Sequence, residues 1–369
     1  MVEQALDFPI PLVELDARRL VLELFHGPTL AFKDVGARFM ARLMAHFGPG
    51  EGGPLTILAA TSGDTGSAVA HAFYGLDGFS VVVLFPRGQV SAAQQRLFTT
   101  LGGNVTAVSV AGTFDACQRL VRRAFADEDL RRCRPLASAN SINVGRLLPQ
   151  VFYYFHLVAQ LPEPPSDSRP LLVATPSGNF GNLTAGLMAK RLGLPVRRFI
   201  AATNVNDVVP EYLASGVFRP RPSQPTLSNA MDVGDPSNLR RIRHLYDDDL
   251  ERLRADVVGI AVDDETTLET MRAVRTRFGY LLDPHGAVGW RALDEVLAEL
   301  PSARGAVLAT AHPAKFVDTV MRATGETVSL PPALAECLAR KESVVEIEAS
   351  DEALASLLRD SALAQSTRR

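Results

Sequence analysis

The chain has 369 residues, 47% of them hydrophobic and 21% charged, with a net charge of −3. That composition belongs to a globular protein of about two domains, by the rough measure of ~150 residues each, and not to a disordered one. No basic block suggests a nucleic-acid or membrane surface, and no apolar run approaches the ~20 residues that span a bilayer.

In chain order, the turn signal Gly27-Pro28-Thr29 precedes a helix whose apolar face is predicted to be Phe39, Met40, Leu43, Met44 and Phe47. Lys33 therefore stands at a loop-to-helix junction. Strand and helix patterns then alternate: strand Leu55 to Ala60, helix Ser67 to Tyr74, strand Val81 to Phe85, helix Ala92 to Leu101, and strand Val105 to Val110. A helix follows with Phe114, Cys117, Val121, Ala124 and Phe125 on one face. After a surface loop at 161–170, strand Leu171 to Thr175, helix Leu183 to Leu192 and strand Arg197 to Ala202 form a second series. A second loop spans 220–225, and helix Thr266 to Phe278 and strand Ala306 to Thr310 complete that series. The tail from Val344 carries a strand-like acidic run and a short helix. This rhythm predicts an α/β fold of mostly parallel sheets flanked by helices, with ligands at the carboxyl ends of the strands. Cys117, Cys133 and Cys337 are too scattered for a disulfide framework or a zinc site, so free thiols and no metal are expected. The start, MVEQALDFPIPL, lacks a basic and an apolar leader segment, so a cytoplasmic location is expected.

Of the 38 Lys and Arg residues only four are Lys: Lys33, Lys190, Lys315 and Lys341. Where charge alone is needed, this chain uses Arg, whereas an amine can also act as nucleophile and base. Lys33 follows Ala31-Phe32 within FHGPTLAFKDVGARF, residues 25–39, and apolar surroundings favour its neutral amine. The alternative is a cation paired with Asp34 or reaching water. In TPSGNFGNLTAG, residues 175–186, a strand runs through Gly178, Asn179, Phe180, Gly181 and Asn182 into a helix. Glycines and a helix N-terminus suit a phosphate, although the segment is neither a dinucleotide fingerprint nor Walker A. In ATSGDTGSAVAHAF, residues 60–73, the turn Ser62-Gly63-Asp64-Thr65 can hold a carboxylate or simply cap its helix. Thr310 ends a strand in ATAHPAKF, where a hydroxyl can hydrogen-bond a heteroaromatic nitrogen. SANSINVGRLLPQ, residues 138–150, offers Asn140, Ser141, Asn143 and Arg146, and LDPHGAVGW, residues 282–290, places His285 in a Pro/Gly loop. For Arg146, His285 and Lys315, a surface or capping role is the alternative.

Together, FHGPTLAFKD, TSGDTG, NSIN, PSGNFGNLTAG, ATNVND, TLSNAMDVG and TAHPAKF closely resemble the threonine synthase family in its bacterial and fungal branch. The resemblance runs from about Leu24 to about Leu330. It implies a two-domain fold-type II pyridoxal-phosphate enzyme, similar to the tryptophan synthase β chain. The larger, cofactor-binding domain would take 1–50 and 146–369, and a smaller α/β domain, 51–145, would close over the substrate.

By the same resemblance, Lys33 is the Schiff-base lysine, and Gly178, Asn179, Phe180, Gly181 and Asn182 hold the cofactor phosphate. Thr310 faces the pyridine nitrogen, and the Ser62, Gly63, Asp64, Thr65 loop holds the substrate carboxylate, with Asn140 and Ser141 nearby. Arg146 and Lys315 are the candidates for the substrate phosphate. Family members normally carry several dozen further residues, with a small capping subdomain, ahead of the lysine motif. The implied reaction converts O-phospho-L-homoserine and water to L-threonine and phosphate, with neither nucleic acid nor membrane as partner and a homodimer as the usual assembly. The alternatives are a phospho-lyase releasing 2-oxobutyrate from the same substrate, and a cofactor-binding remnant without catalysis.

Overall fold

The computed structural model describes residues 1–48 and 54–360. Its strands are, in chain order, Leu12–Glu14 (β1), Arg19–Glu23 (β2), Leu55–Ala60 (β3), Phe79–Pro86 (β4), Val105–Ala111 (β5), Leu136–Ser138 (β6), Leu171–Pro176 (β7), Arg198–Thr203 (β8), Val257–Ala261 (β9), Arg304–Ala309 (β10) and Val344–Glu348 (β11). They form two sheets, ordered β1-β2-β10-β7-β8-β9 and β11-β5-β4-β3-β6. Every pairing is parallel except β1 with β2. A parallel sheet needs helical crossovers on its faces, so its central strands become apolar on both sides. β4, FSVVVLFP, is buried along all eight residues. Among the described residues, no helix is long and apolar enough to cross a membrane.

The chain divides into two compact units. One comprises Met1–Asp7, Gly27–Arg146 and Leu330 onward, and contains the five-stranded sheet. The other comprises Phe8–His26 and Leu147–Ser329, and contains the six-stranded sheet. This division departs from the expected one in three segments: Met1–Asp7, the stretch from Gly27 into the helix Lys33–Phe47, and the tail from Leu330. The helix Lys33–Phe47 belongs with the five-stranded unit because Ala37, Met40 and Ala41 pack into one core with Ile57, Phe73 and Val81. The tail belongs there too: β11 pairs with β5, and Leu354 and Leu358 of the helix Asp351–Arg359 join Leu120 and Val121. The expected boundary at 50/51 lies outside the described residues.

The predicted strands and helices of both series are present, with ends shifted by up to three residues. The helix after Lys33 buries only part of the expected face, Met40 with Met44 packed against the same core, and adds smaller residues to it. Val35, Gly36, Ala37, Met40 and Ala41 are buried, while Phe47 is 77% exposed. Small residues are needed there: a Cβ on Gly36 would stand 2.5 Å from the Arg146 carbonyl oxygen. His285 does not lie in a loop. Asp283-Pro284 starts the sixteen-residue helix Pro284–Glu299, with the Asp283 carboxylate accepting from the N–H groups of His285 and Gly286 and Pro284 in the first turn. Of the three cysteines, all free, Cys117 and Cys337 are buried and Cys133 is exposed.

Candidate active site

In the six-stranded unit, the neighbouring parallel strands β7 and β10 bring the 177–182 turn and Thr310 to the same edge of the sheet. The turn is shaped by its own side chains. Asn182 Nδ2 donates to the Pro176 carbonyl at 2.7 Å, and Asn182 Oδ1 accepts from Ser177 Oγ at 2.9 Å and from Leu183 N–H at 3.0 Å. Tyr154, buried beneath, donates its hydroxyl to the Asn182 carbonyl at 2.7 Å. Asn179 Oδ1 accepts from the Ser237 N–H and hydroxyl at 3.3 and 3.2 Å. The Asn182 amide and the Asn179 side-chain oxygen are thus both engaged by the protein.

Phe180 adopts a left-handed conformation, φ 59°, immediately before the helix Gly181–Arg191. The first intrahelical bond runs from Thr184 N–H to the Phe180 carbonyl, 2.9 Å. The N–H groups of Gly181 and Asn182 precede it and point out of the helix start, where the dipole favours an anion. Gly178 is glycine for want of room: a Cβ would lie 2.8 Å from the Ala230 carbonyl oxygen and 2.9 Å from Met231 Cα. Thr310 is 5% exposed and directly follows β10. Lys315, 2% exposed, lies in the short 3-10 turn Pro313–Lys315 just beyond it.

The next strand end carries residues whose motifs were noticed without a role. Beyond β8, Asn204 Nδ2 donates to Asp232 Oδ1 at 2.8 Å, and Thr226 donates to the same carboxylate through its hydroxyl at 2.7 Å and its N–H at 3.0 Å. Burial raises the Asp232 carboxyl to about 6, although these donors hold it down. His285 was assigned to a loop and is instead a buried ring bonded on both nitrogens. The Asp-Pro pair before it is a helix-start signal from which its position was readable.

In the five-stranded unit, β3 runs into the Ser62–Thr65 turn and the helix Asp64–Phe73. Thr61 Oγ1 organises the turn. It accepts from the N–H groups of Gly63 at 2.9 Å and Gly66 at 2.7 Å, and donates to the Gly63 carbonyl at 3.0 Å. Gly63 has φ 141°, and a Cβ there would meet Gln94 Cδ at 2.7 Å. Asp64 is buried and accepts from Gln94 Nε2 at 2.9 Å, so its carboxylate belongs to the scaffold. The hydroxyls of Ser62 and Thr65 lie half-buried outside this network. At the end of the adjacent β6, Asn140 Nδ2 donates to the Ala60 carbonyl at 2.9 Å. Ser141 is half-buried beside it.

Lys33 is the first residue of its helix, half-buried, with Nζ 5.9 Å from the centre of the Phe32 ring. The turn before it wraps Asp34. The Asp34 carboxylate accepts from Thr29 N–H at 2.9 Å and Thr29 Oγ1 at 2.7 Å, and a Cβ on Gly27 would stand 2.5 Å from Asp34 Oδ2. Arg146 is also buried, 3% exposed, and donates to the Ala139 carbonyl. Burial pulls its guanidinium down to about 10, against the opposing field of Asp34. The surface alternative is therefore excluded for Arg146, Lys315 and His285. The five-stranded unit holds Lys33, Ser62–Thr65, Asn140, Ser141 and Arg146, and the six-stranded unit holds 178–182, Thr310 and Lys315.

Comparison with known proteins follows the same residues. Residues 6–311 match the family described as pyridoxal-phosphate dependent enzyme, and residues 286–357 match the threonine synthase C-terminal family. The threonine synthase of Escherichia coli (strain K12) is 54% identical over 335 residues, covering 91% of this chain and 76% of that protein. The crystal structure of threonine synthase from Escherichia coli superposes with a TM-score of 0.90 at 52% identity, covering 97% of this chain and 82% of the other. That of the pyridoxal-phosphate-bound threonine synthase from Brucella melitensis gives 0.86 at 38% identity, covering 98% and 81%. The chain belongs to the threonine synthase family of pyridoxal-phosphate-dependent enzymes.

Proposed function

We propose that Lys33 carries the cofactor, and moves the protons, in the conversion of O-phospho-L-homoserine and water to L-threonine and phosphate. The observation that carries this reading is that one chain of this family holds both a half-buried amine at a helix start and a built anion cradle. The cradle suits the cofactor's phosphate: Gly178 adds no side chain of its own, the Asn182 amide and Asn179 Oδ1 bond to the protein, and the helix N–H groups lead outward. The Thr310 hydroxyl, on the neighbouring strand end, suits the uncharged ring nitrogen.

When bound, pyridoxal phosphate supplies an aldehyde carbon for amines and a ring that takes up the electrons left behind by a departing proton. The remaining chemistry belongs to the chain. Lys33 Nζ holds the cofactor before substrate arrives and then serves as the base at substrate Cα. The same amine removes a proton at Cβ and delivers one at Cγ, the carbon that loses phosphate. The Phe32 ring flanks this amine, its centre 5.9 Å from Nζ. The Ser62 and Thr65 hydroxyls, at the start of the helix Asp64–Phe73, orient the substrate carboxylate. Arg146 and Lys315 are the proposed cations for the substrate phosphate.

Borohydride reduction of the cofactor-loaded protein followed by peptide mapping tests the assignment. The pyridoxyl mark is expected on Lys33, and Lys33→Ala is expected to lower turnover by on the order of 10³-fold or more. A mark on Lys190, Lys315 or Lys341, or wild-type turnover in Lys33→Ala, would overturn it.

A further inference from the structure

We infer that His285 is a positioning residue that holds the Ala230–Met231 turn against the 177–182 cradle and so fixes the cradle's shape. The inference rests on the reading of that cradle as the cofactor-phosphate site.

The Asp283 carboxylate, which caps the helix Pro284–Glu299, also accepts from the His285 ring, Nδ1 to Oδ2 at 2.6 Å. A proton on Nδ1 leaves the lone pair on Nε2 exposed. That lone pair meets a backbone donor: the Ala230 N–H points at His285 Nε2 at 3.2 Å. The ring is 2% exposed and stands edge-on to Phe316, with centroids 5.1 Å apart, so it has no room to turn away. Ala230 is the residue whose carbonyl oxygen, with Met231 Cα, occupies the space a side chain at Gly178 would need. The contacts therefore run from Asp283 through His285 and Ala230 to Gly178. The far end of the same segment is pinned separately, by Asp232 accepting from Asn204 and Thr226. The helix that carries His285 also presses on the cradle's other end, since a Cβ on Gly289 would lie 2.8 Å from Pro176 Cγ. One helix thus braces both sides of the anion turn.

Two isosteric substitutions separate the ring's two bonds. His285→Asn keeps a donor where Nδ1 faces Asp283 but does not reach Ala230. His285→Gln places an acceptor where Nε2 stands and gives up the Asp283 bond. Apoprotein is titrated with pyridoxal phosphate by absorbance, and the bound phosphate is followed by its phosphorus resonance. His285→Asn is expected to weaken cofactor binding about tenfold and move the resonance, as for loss of one buried hydrogen bond. His285→Gln is expected to stay within about threefold and keep it. Equal loss in both variants, or wild-type behaviour in both, would overturn the inference. If the Asn variant does not fold, His285→Ala takes its place beside His285→Gln: a tenfold loss in Ala with retention in Gln upholds the inference, and equal behaviour of the two overturns it. Gly178→Ala separates the two levels. Unchanged affinity there removes the cradle reading and this inference with it, whereas weakened affinity beside a wild-type His285→Asn removes only the role of His285.

Discussion

The hydroxyl of Thr29 donates to the carboxylate of Asp34 at 2.7 Å, with the Thr29 N–H on the other carboxylate oxygen at 2.9 Å. Both residues are fully buried, and Asp34 immediately follows Lys33. The pair therefore fixes the loop that leads into the lysine. Thr29→Val keeps the shape and removes one hydrogen bond to a buried charged group. It is expected to cost about 2 kcal/mol, read from denaturant unfolding of the apoprotein. An unchanged midpoint would mean that another donor takes its place.

Ser62 and Thr65 are expected to separate binding from stability. Their hydroxyls stand outside the network that Thr61 organises. Ser62→Ala should raise KM for O-phospho-L-homoserine about tenfold, as for a lost hydrogen bond to a charged group, with the thermal midpoint little changed. Steady-state kinetics and thermal unfolding of the same sample check this. A falling midpoint with an unchanged KM would make the hydroxyl part of the scaffold.

Arg146 is expected to show the opposite balance. Its guanidinium is buried, donates to the Ala139 carbonyl and lies in the field of Asp34. Arg146→Ala leaves Asp34 without that countercharge, and should cost on the order of 3 kcal/mol in urea unfolding whatever it does to KM. A variant of native stability would show that the charge serves only the substrate.

A pH dependence follows from His71. Its Nε2 donates to the Leu97 carbonyl at 2.7 Å. Burial pulls its pKa from 6.5 to about 4, helped by the charges of Arg340 and Arg38. The unfolded chain then takes up a proton below 6.5 while the folded chain does not until about 4. Stability present above 6.5 is therefore lost as the pH falls toward 4, by on the order of 2 kcal/mol. His71→Gln should flatten that part of the stability profile between those pH values. An identical profile would contradict the assignment.

The sequence was most legible where local chemistry decides the structure. The 177–182 turn and the Ser62–Thr65 turn carry their own glycines, hydroxyls and helix starts, and both form as expected. The helix Lys33–Phe47 forms where expected, but its buried face was only partly legible because its packing is decided elsewhere. The close approach of Arg146 requires Gly36, so small residues face the core and Phe47 does not. Nor could local pattern reveal that β11 completes the five-stranded sheet, since that pairing joins residues more than two hundred positions apart. β1 and β2, three and five residues long, were too short to give a period. His285 was misplaced for a different reason: its Pro/Gly neighbours suggested a loop, although Asp-Pro is also a helix-capping pair.

The most direct test of the whole account is a product assay on the cofactor-loaded protein with O-phospho-L-homoserine, measuring phosphate, threonine and 2-oxobutyrate together. Phosphate and threonine in equal amounts, from a protein whose visible absorbance borohydride bleaches, is the predicted result. Phosphate matched by 2-oxobutyrate, or no release of phosphate at all, would contradict it.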